Sequence, residues 1–141
     1  MGRVVPVCDV MKKNVVRISA DDTLWIVKEI MDLASVRHIP VVDGGVLVGV
    51  VSQRDLLRAS LSNVMGISAE EQRVFLSGVR ISDVMSSPPR TIAPGEAIQA
   101  AARAMAEYKI GCLPVVEGRE IVGILTETDV LHYFAMLPVA E

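Results

Sequence analysis

The chain repeats itself without a gap, and this repeat constrains the fold more than any other feature of the sequence. When the 141-residue sequence is shifted by 74 positions, residues 9–57 align with residues 83–131, and thirteen of the 49 aligned positions are identical. The identities form short groups: D-V-M near the start, P-V-V in the middle, and a glycine and an aspartate near the end. Such a period indicates copies of one supersecondary unit that bury their apolar faces together. We therefore expect two halves of similar structure.

Each copy has the pattern of a strand, a helix, a hairpin and a second helix. Apolar residues recur at the 3.6-residue spacing of a half-buried helix over residues 23–34, and the alanine-rich residues 96–108 are helical in the second copy. Two runs of β-branched residues flank a turn at Gly44, which predicts a hairpin because the tight turn needs residues that tolerate positive φ. A final helix is expected after Ser52 in the first copy and after Thr126 in the second.

The stretch between the copies has no counterpart in the repeat and carries its own helix signal. Ser68 followed by Glu71 has the spacing of a capping box, and Gly78 marks a helix end. These residues predict a short helix near residues 69–77. The sequence therefore divides into a first repeat, a connector and a second repeat, which occupy residues 1–61, 62–80 and 81–141.

The charge balance, the hydropathy and the cysteines argue against several classes of function. The formal net charge of −3 argues against nucleic-acid binding, because neutralising phosphates needs a basic surface. No apolar stretch reaches the ~18 residues that span a bilayer, so we expect no membrane segment. Cys8 and Cys112 lie far apart without a C-x-x-C motif, which indicates neither a metal site nor a disulfide. Idle thiols fit a reducing compartment, and we expect a cytoplasmic protein.

The sequence lacks the residue patterns of nucleophilic and nucleotide-hydrolysing enzymes. The glycine-rich G-G-V-L-V-G has neither the lysine nor the Ser/Thr of a phosphate-binding loop. Ser52 has no recognisable activating base, and the two histidines, His38 and His132, occupy non-equivalent places in the repeat. We therefore expect a binding protein with no catalytic residue and no obligatory cofactor.

The repeated motifs resemble those of CBS domains, whose tandem pairs are called Bateman modules. The matching features are D-V-M ahead of the first strand, P-V-V at Pro40 and Pro114, and the pattern G-h-h-[ST]-x-x-D (h is apolar) in G-V-V-S-Q-R-D and G-I-L-T-E-T-D. The resemblance implies an α/β (α+β) fold in which two β-α-β-β-α repeats pack as a pseudo-twofold symmetric pair. Because each copy is only about 50 residues long, we expect neither half to be stable alone.

The resemblance also implies two clefts that bind adenosine-containing ligands such as AMP, ADP, ATP or S-adenosylmethionine. In the family the acidic residue of the last motif holds the ribose hydroxyls, a role that Asp55 and Asp129 inherit here. An ionised carboxylate suits this role because it accepts two parallel hydrogen bonds. Ser52 and Thr126 inherit a place near the α-phosphate, since unpaired N–H groups and the positive dipole end favour an anion at a helix start.

The first cleft is expected to be more basic than the second and to be the main site. Arg37 and His38 precede the second strand at a position that faces the ligand's phosphates in the family, and Arg54 neighbours Asp55. Further ligand-binding positions implied by the resemblance are Pro89 for the first cleft and Asn14, Val16, Cys112 and Thr128 for the second. Pro89 belongs to a Pro-Pro pair that departs from the family pattern and can reshape or block the first cleft, because proline has no N–H to offer an adenine nitrogen.

The same residues admit structural interpretations. A Ser or Thr with Asp three positions later is a common helix cap, so the clefts can be vestigial and the chain a structural oligomerisation module. Arg37 and Arg54 can be solvated surface charges, and His38 a half-buried histidine. On the functional interpretation, the chain senses its ligand and acts through an unidentified effector protein.

Small and apolar helix residues predict a homodimer. Alanines over residues 96–108 permit close helix contact, and the final helices offer Leu61, Phe134 and Met136 beyond what a small core needs. Modules of the family commonly pair through such helices. The alternative is that the alanines pack inside the monomer.

Overall fold

The computed structural model describes residues 4–60 and 66–140 and divides the chain into two compact units. One unit is Val16–Pro89, called here the Asp55 unit; the other joins Met1–Val15 to Arg90–Glu141 and is called the Asp129 unit. Each unit thus contains the leading segment of the other sequence repeat. The structural units and the repeats of the sequence are therefore offset by an exchange of their first residues.

The Asp55 unit contains a three-stranded sheet and three helices. Its elements are β1 (Ile18–Ser19), α1 (Leu24–Ala34), β2 (His38–Asp43), β3 (Val46–Ser52), α2 (Gln53–Ala59) and α3 (Ala69–Leu76). Strand β1 runs parallel to β2, and β2 runs antiparallel to β3. Gly44 and Gly45 turn the β2–β3 hairpin with φ of 57° and 82°, which confirms the predicted turn.

The Asp129 unit repeats this order with a shorter sheet. Its elements are α4 (Ile98–Tyr108), β4 (Cys112–Glu117), β5 (Glu120–Thr126) and α5 (Glu127–Ala135). Strands β4 and β5 are antiparallel, and the single residue Ile92 pairs with Val115 in parallel, as Ile18 pairs with Val41 in the other unit. Both copies therefore have the predicted β-α-β-β-α order. In the second copy the first strand consists of a single paired residue, Ile92.

Each unit encloses its own apolar core. The buried core residues of the Asp55 unit are Ile18, Ala20, Leu24, Val27, Met31, Ile39, Val41, Val51, Leu56, Leu76 and Ile81. Those of the Asp129 unit are Val7, Ile92, Ile98, Ala101, Met105, Leu113, Val115 and Leu125. Ile81 and Val7 belong to the exchanged leading segments, so each core includes a residue from the other repeat.

The D-V-M motif and the motif glycine pack against one another within each unit. A Cβ on Gly49 would lie 2.7 Å from Met85 Sδ and 2.8 Å from the Ser86 carbonyl oxygen. A Cβ on Gly123 would collide with Met11 in the same way. Glycine is required at both positions because the leading segment crosses the strand at van der Waals distance. The D-V-M segment and the strand that carries the motif glycine are therefore packed directly against each other in each unit.

The predicted boundaries of helices α1, α3 and α4 hold to within one residue except at the start of α4. Helix α3 confirms the helix predicted between the repeats, and Ser68 Oγ caps it by accepting from Glu71 N at 3.1 Å. Helix α4 begins at Ile98, two residues later than predicted, because Ala97 is extended and Glu96 Oε2 accepts instead from Ala93 N at 2.9 Å.

No helix of the described part of the chain is long and apolar enough to cross a membrane.

Candidate functional site

Each unit places its repeated aspartate in the first turn of the helix after the hairpin. Ser52 ends β3 and caps α2: its Oγ accepts from Asp55 N at 3.1 Å, and its N–H donates to Asp55 Oδ2 at 2.8 Å. Thr126 and Asp129 form the same capping box on α5 at 3.3 and 2.9 Å, and the Thr126 hydroxyl also donates to Oδ2 at 3.0 Å. The cap therefore accounts for the Ser/Thr-to-Asp spacing, but it uses only one oxygen of each carboxylate.

A cavity of about 310 Å³ lies beside Asp55. Helix α2 contributes Asp55, Arg58 and Ala59 to its lining, and the D-V-M segment contributes Asp83 and Val84. Within the described ranges no donor reaches Asp55 Oδ1, so this oxygen keeps its full acceptor capacity. The cavity thus presents two carboxylates and one guanidinium, a set that can bind hydroxyl donors and an anion.

A cavity of about 400 Å³ occupies the equivalent place beside Asp129. Helix α5 and the leading segment line it with Asp9, Val10, Lys12, Thr128, Asp129, His132, Tyr133 and Met136. Four of these residues occupy the positions that Asp83, Val84, Asp55 and Arg58 hold in the other copy. Both cavities are shallow and open to solvent, and both are built from the same two repeated motifs.

Lys12 distinguishes the second cavity from the first. Its Nζ lies 3.1 Å from Asp129 Oδ1, and the two side chains are 61% and 11% exposed. The Lys12 main chain is fixed by two hydrogen bonds with Ile124, each of 2.9 Å. The position equivalent to Lys12 is Ser86, which pairs with Val50 in the same way but carries no charge.

The CBS domain model matches residues 7–62 and 81–136, which together are more than half of the chain. The chain belongs to the CBS domain family. It is 30% identical over 135 residues to an uncharacterised protein of Methanocaldococcus jannaschii. The aligned region covers 93% of this chain but only 32% of that relative, so the chain spans about a third of the relative's length.

This CBS domain pair is also similar to solved structures. It is 27% identical to CBSX2 in complex with AMP, with a TM-score of 0.75 over 92% of this chain and 96% of the other. The CBS domain pair of protein MJ0100, in complex with 5′-methylthioadenosine and S-adenosyl-L-methionine, is 24% identical with a TM-score of 0.79 over 94% and 98% of the two chains. At 24% identity, the similarity to the MJ0100 pair shows the fold alone.

In the Asp55 unit of the pair, the predicted phosphate-contacting residues gather where β3 meets α2. His38 is opposite Ser52 in the β2–β3 register, and the Arg37 carbonyl accepts from the first N–H of α2 at 2.8 Å. Arg54 lies in the first turn of α2, and both arginines are exposed. These residues are thus neighbours of Asp55, although none of them lines the cavity beside it.

In the Asp129 unit, Cys112 and Thr126 are opposite one another in the β4–β5 register, and Thr128 lines the cavity with Asp129. Cys112 is buried, and this burial raises the pKa of its thiol to about 12. At neutral pH the side chain is therefore an uncharged thiol, which adds no negative charge near Thr126.

Three of the further predicted ligand-binding positions, Pro89, Asn14 and Val16, lie in segments that are divided between the units. The Ser87 hydroxyl donates to the Val48 carbonyl oxygen at 2.8 Å, which lays the segment ending at Pro89 along β3 of the Asp55 unit. Both Asn14 and Val16 are predicted for the second cleft; Asn14 belongs to the Asp129 unit, whereas Val16 belongs to the Asp55 unit.

Sequence reasoning missed Lys12, Asp9 and His132 beside Asp129, and Asp83 and Arg58 beside Asp55. The signal for the two missed aspartates was present, because D-V-M recurs with the same 74-residue spacing as the G-h-h-[ST]-x-x-D motif. Lys12 gave no such signal, since it belongs by sequence to the first repeat and by structure to the cavity of the second.

Proposed function

We propose that this CBS domain pair is a regulatory module that binds an adenosine-containing ligand, AMP, ADP, ATP or S-adenosylmethionine, and acts through a partner protein. The observation that carries the proposal is the repeated aspartate, which lines a cavity in each unit while its helix cap engages one carboxylate oxygen. The similarity to an AMP-bound CBS protein supports the choice of ligand class.

We place the main site at Asp55. Its Oδ1 has no donor in the described structure, so both lone pairs can accept from the 2′ and 3′ hydroxyls of a ribose. The exposed guanidinium groups of Arg37 and Arg54 stand near the start of α2, where they can meet the ligand's phosphates. Asp129 is the weaker site on this proposal, because Lys12 already engages its second oxygen.

Calorimetry with Asp55→Ala and Asp129→Ala tests this proposal. We expect Asp55→Ala to weaken AMP binding by roughly ten- to a hundredfold, the effect of losing charge-assisted hydrogen bonds to the ribose, and Asp129→Ala to weaken it less. Arg37→Ala and Arg54→Ala are expected to weaken ATP and ADP more than adenosine, and added salt to reduce that difference.

Asp55→Asn is the matched control for the helix cap, since an amide oxygen can still accept from Ser52 N while the charge is lost. Thermal melting with a panel of adenosine ligands then reports binding independently, because a ligand of the folded state raises its stability by RT ln(1 + [L]/Kd). No shift at millimolar ligand would reject the sensor function.

The structural alternative has one specific observation in its favour, the complete capping box at both aspartates. On that alternative both carboxylates only stabilise helices, and the chain serves assembly. Asp55→Ala and Asp129→Ala would then lower the melting temperature without changing the response to any adenosine compound.

We also propose that the module is a homodimer. Helix α5 and the residue after it leave Leu131, Phe134 and Met136 exposed by 64%, 70% and 84%. The alanines of α4 give less support, since Ala101 is buried in the core of its unit and Ala104 packs against that core. Leu61 lies outside the described residues. Light scattering at micromolar concentration tests the dimer, and a mass near the 15.2 kDa of one chain would reject it.

A further inference from the structure

The ion pair between Lys12 and Asp129 places a cation on the oxygen that a ribose needs. Asp129 Oδ2 already accepts from Thr126 N at 2.9 Å and from Thr126 Oγ1 at 3.0 Å, and Oδ1 lies 3.1 Å from Lys12 Nζ. Each carboxylate oxygen has about two acceptor sites, so the ammonium leaves one of the two on Oδ1. A ribose diol that donates two hydrogen bonds must therefore displace the Lys12 ammonium.

The exposure of the two side chains decides which of them moves. The Asp129 side chain is 11% exposed and is tied to the cap of α5, whereas that of Lys12 is 61% exposed and ends a flexible four-carbon chain. The main chain of Lys12 is held by its hydrogen bonds to Ile124, so a displacement of the ammonium involves rotation of the exposed side chain. The ammonium can therefore leave Asp129 while the carboxylate stays in place.

We propose that Lys12 makes the Asp129 cavity selective for phosphorylated over uncharged adenosine ligands. Uncharged adenosine forms hydrogen bonds with the Asp129 carboxylate, but it breaks the ion pair between that carboxylate and the Lys12 ammonium without replacing it. A phosphorylated ligand offers the displaced ammonium a new anion in the same cavity, so one charge-assisted contact replaces another. This inference rests on the proposed function, since it concerns the ligand class of one of the two cavities.

The Asp55 cavity provides the internal comparison. There the position of Lys12 is held by Ser86, whose main chain makes the same pair of hydrogen bonds, to Val50, but whose side chain carries no charge. Asp55 Oδ1 accordingly has no donor among the described residues. We therefore expect the lysine-dependent part of this selectivity at Asp129 alone in the natural chain, whereas any preference for phosphates at Asp55 rests on Arg37 and Arg54.

Calorimetric titration of the full chain with AMP and with adenosine tests the role of Lys12. The titrations are made in an Asp55→Ala background, so that the measured binding is that of the Asp129 cavity. There Lys12→Met is expected to strengthen adenosine binding and to weaken AMP binding. The ratio of the two affinities is expected to fall by about fivefold, the size expected for one partly exposed ion pair. Lys13→Met removes the same charge one position away and is expected to leave the preference unchanged. Raising the salt concentration is expected to reduce the preference with Lys12 present and not in Lys12→Met.

The reciprocal substitution keeps the test independent of how Lys12→Met folds. Ser86→Lys places an ammonium at the equivalent position beside Asp55, and in an Asp129→Ala background it is expected to raise the AMP preference there by about fivefold. An unchanged preference in both Lys12→Met and Ser86→Lys, or an equal loss in Lys13→Met, overturns this inference while leaving the proposed function intact. If the parent chain binds neither AMP nor adenosine, both proposals fall.

Discussion

Replacing Gly49 with alanine is expected to destabilise the Asp55 unit severely, although only one methyl group is added. The new Cβ would lie 2.7 Å from Met85 Sδ and 2.8 Å from the Ser86 carbonyl oxygen. The Met85 side chain can turn away, but Ser86 cannot, because its main chain exchanges hydrogen bonds of 2.9 and 3.1 Å with Val50. Overpacking and the weakening of the two Ser86–Val50 hydrogen bonds are together expected to lower the free energy of unfolding by about 2–6 kcal/mol. This is a large part of the ~5–15 kcal/mol that stabilises a typical domain.

Urea denaturation followed by fluorescence measures this cost directly. Trp25 is the only tryptophan of the chain and lies in α1 of the same unit, so its emission reports on that unit. We expect the unfolding midpoint of Gly49→Ala to fall by about 1–3 M urea. Adding Met85→Ala is expected to restore only part of the loss, since the Ser86 carbonyl remains.

Gly95→Ala is the matched control, because a Cβ there meets nothing within 4 Å. Its midpoint is expected to equal that of the parent or to lie slightly above it. If Gly49→Ala unfolded at the same urea concentration as Gly95→Ala, the close crossing of the D-V-M segment over β3 would be refuted.

Three further predictions concern the helix after the first repeat, the thiols and the exchanged segments. Ser68→Ala is expected to lower the free energy of unfolding by about 1 kcal/mol through loss of the α3 cap, as measured by urea titration. Burial raises the pKa of Cys112 from 9.0 to about 12, so at pH 8 a thiol reagent should label the half-buried Cys8 first and Cys112 only after unfolding. Because folding raises the pKa of this thiol, the contribution of Cys112 to the free energy of unfolding is present below pH 9 and is lost as the pH rises toward 12. Cys112→Val should remove this part of the pH dependence. Residues 16–89 expressed alone should unfold cooperatively and residues 1–60 should not, and calorimetry showing the reverse would contradict the division into units.

The helices, the hairpins and their order were predictable because each depends on a local pattern. The turn at Gly44 and the cap at Ser68 are set by residues within a few positions of one another, and the structure has both as predicted. The place of Asp55 and Asp129 in capping boxes follows from the same short-range logic.

The composition of the cavities was less predictable, because it depends on which segment packs on which sheet. Lys12 lies more than a hundred positions from Asp129 in the chain, and no periodicity connects them. The sequence therefore indicated too few cations for the second cavity. The late start of α4 at Ile98 has a similar origin, since the N–H of Ile98 donates to the carbonyl oxygen of Val5 in the exchanged segment at 2.9 Å.

The exchange of leading segments also sets an order in which the chain can fold as it is synthesised. The Asp55 unit is continuous from Val16 to Pro89, so all of its core residues are available once Pro89 has left the ribosome. The Val7 side chain belongs to a core that extends to Leu125, which is added about 6–24 s after Val7 at ordinary rates of translation. The segment that is made before either core is thus the last to find its partners, and the nascent protein carries it unpaired until the second half has emerged.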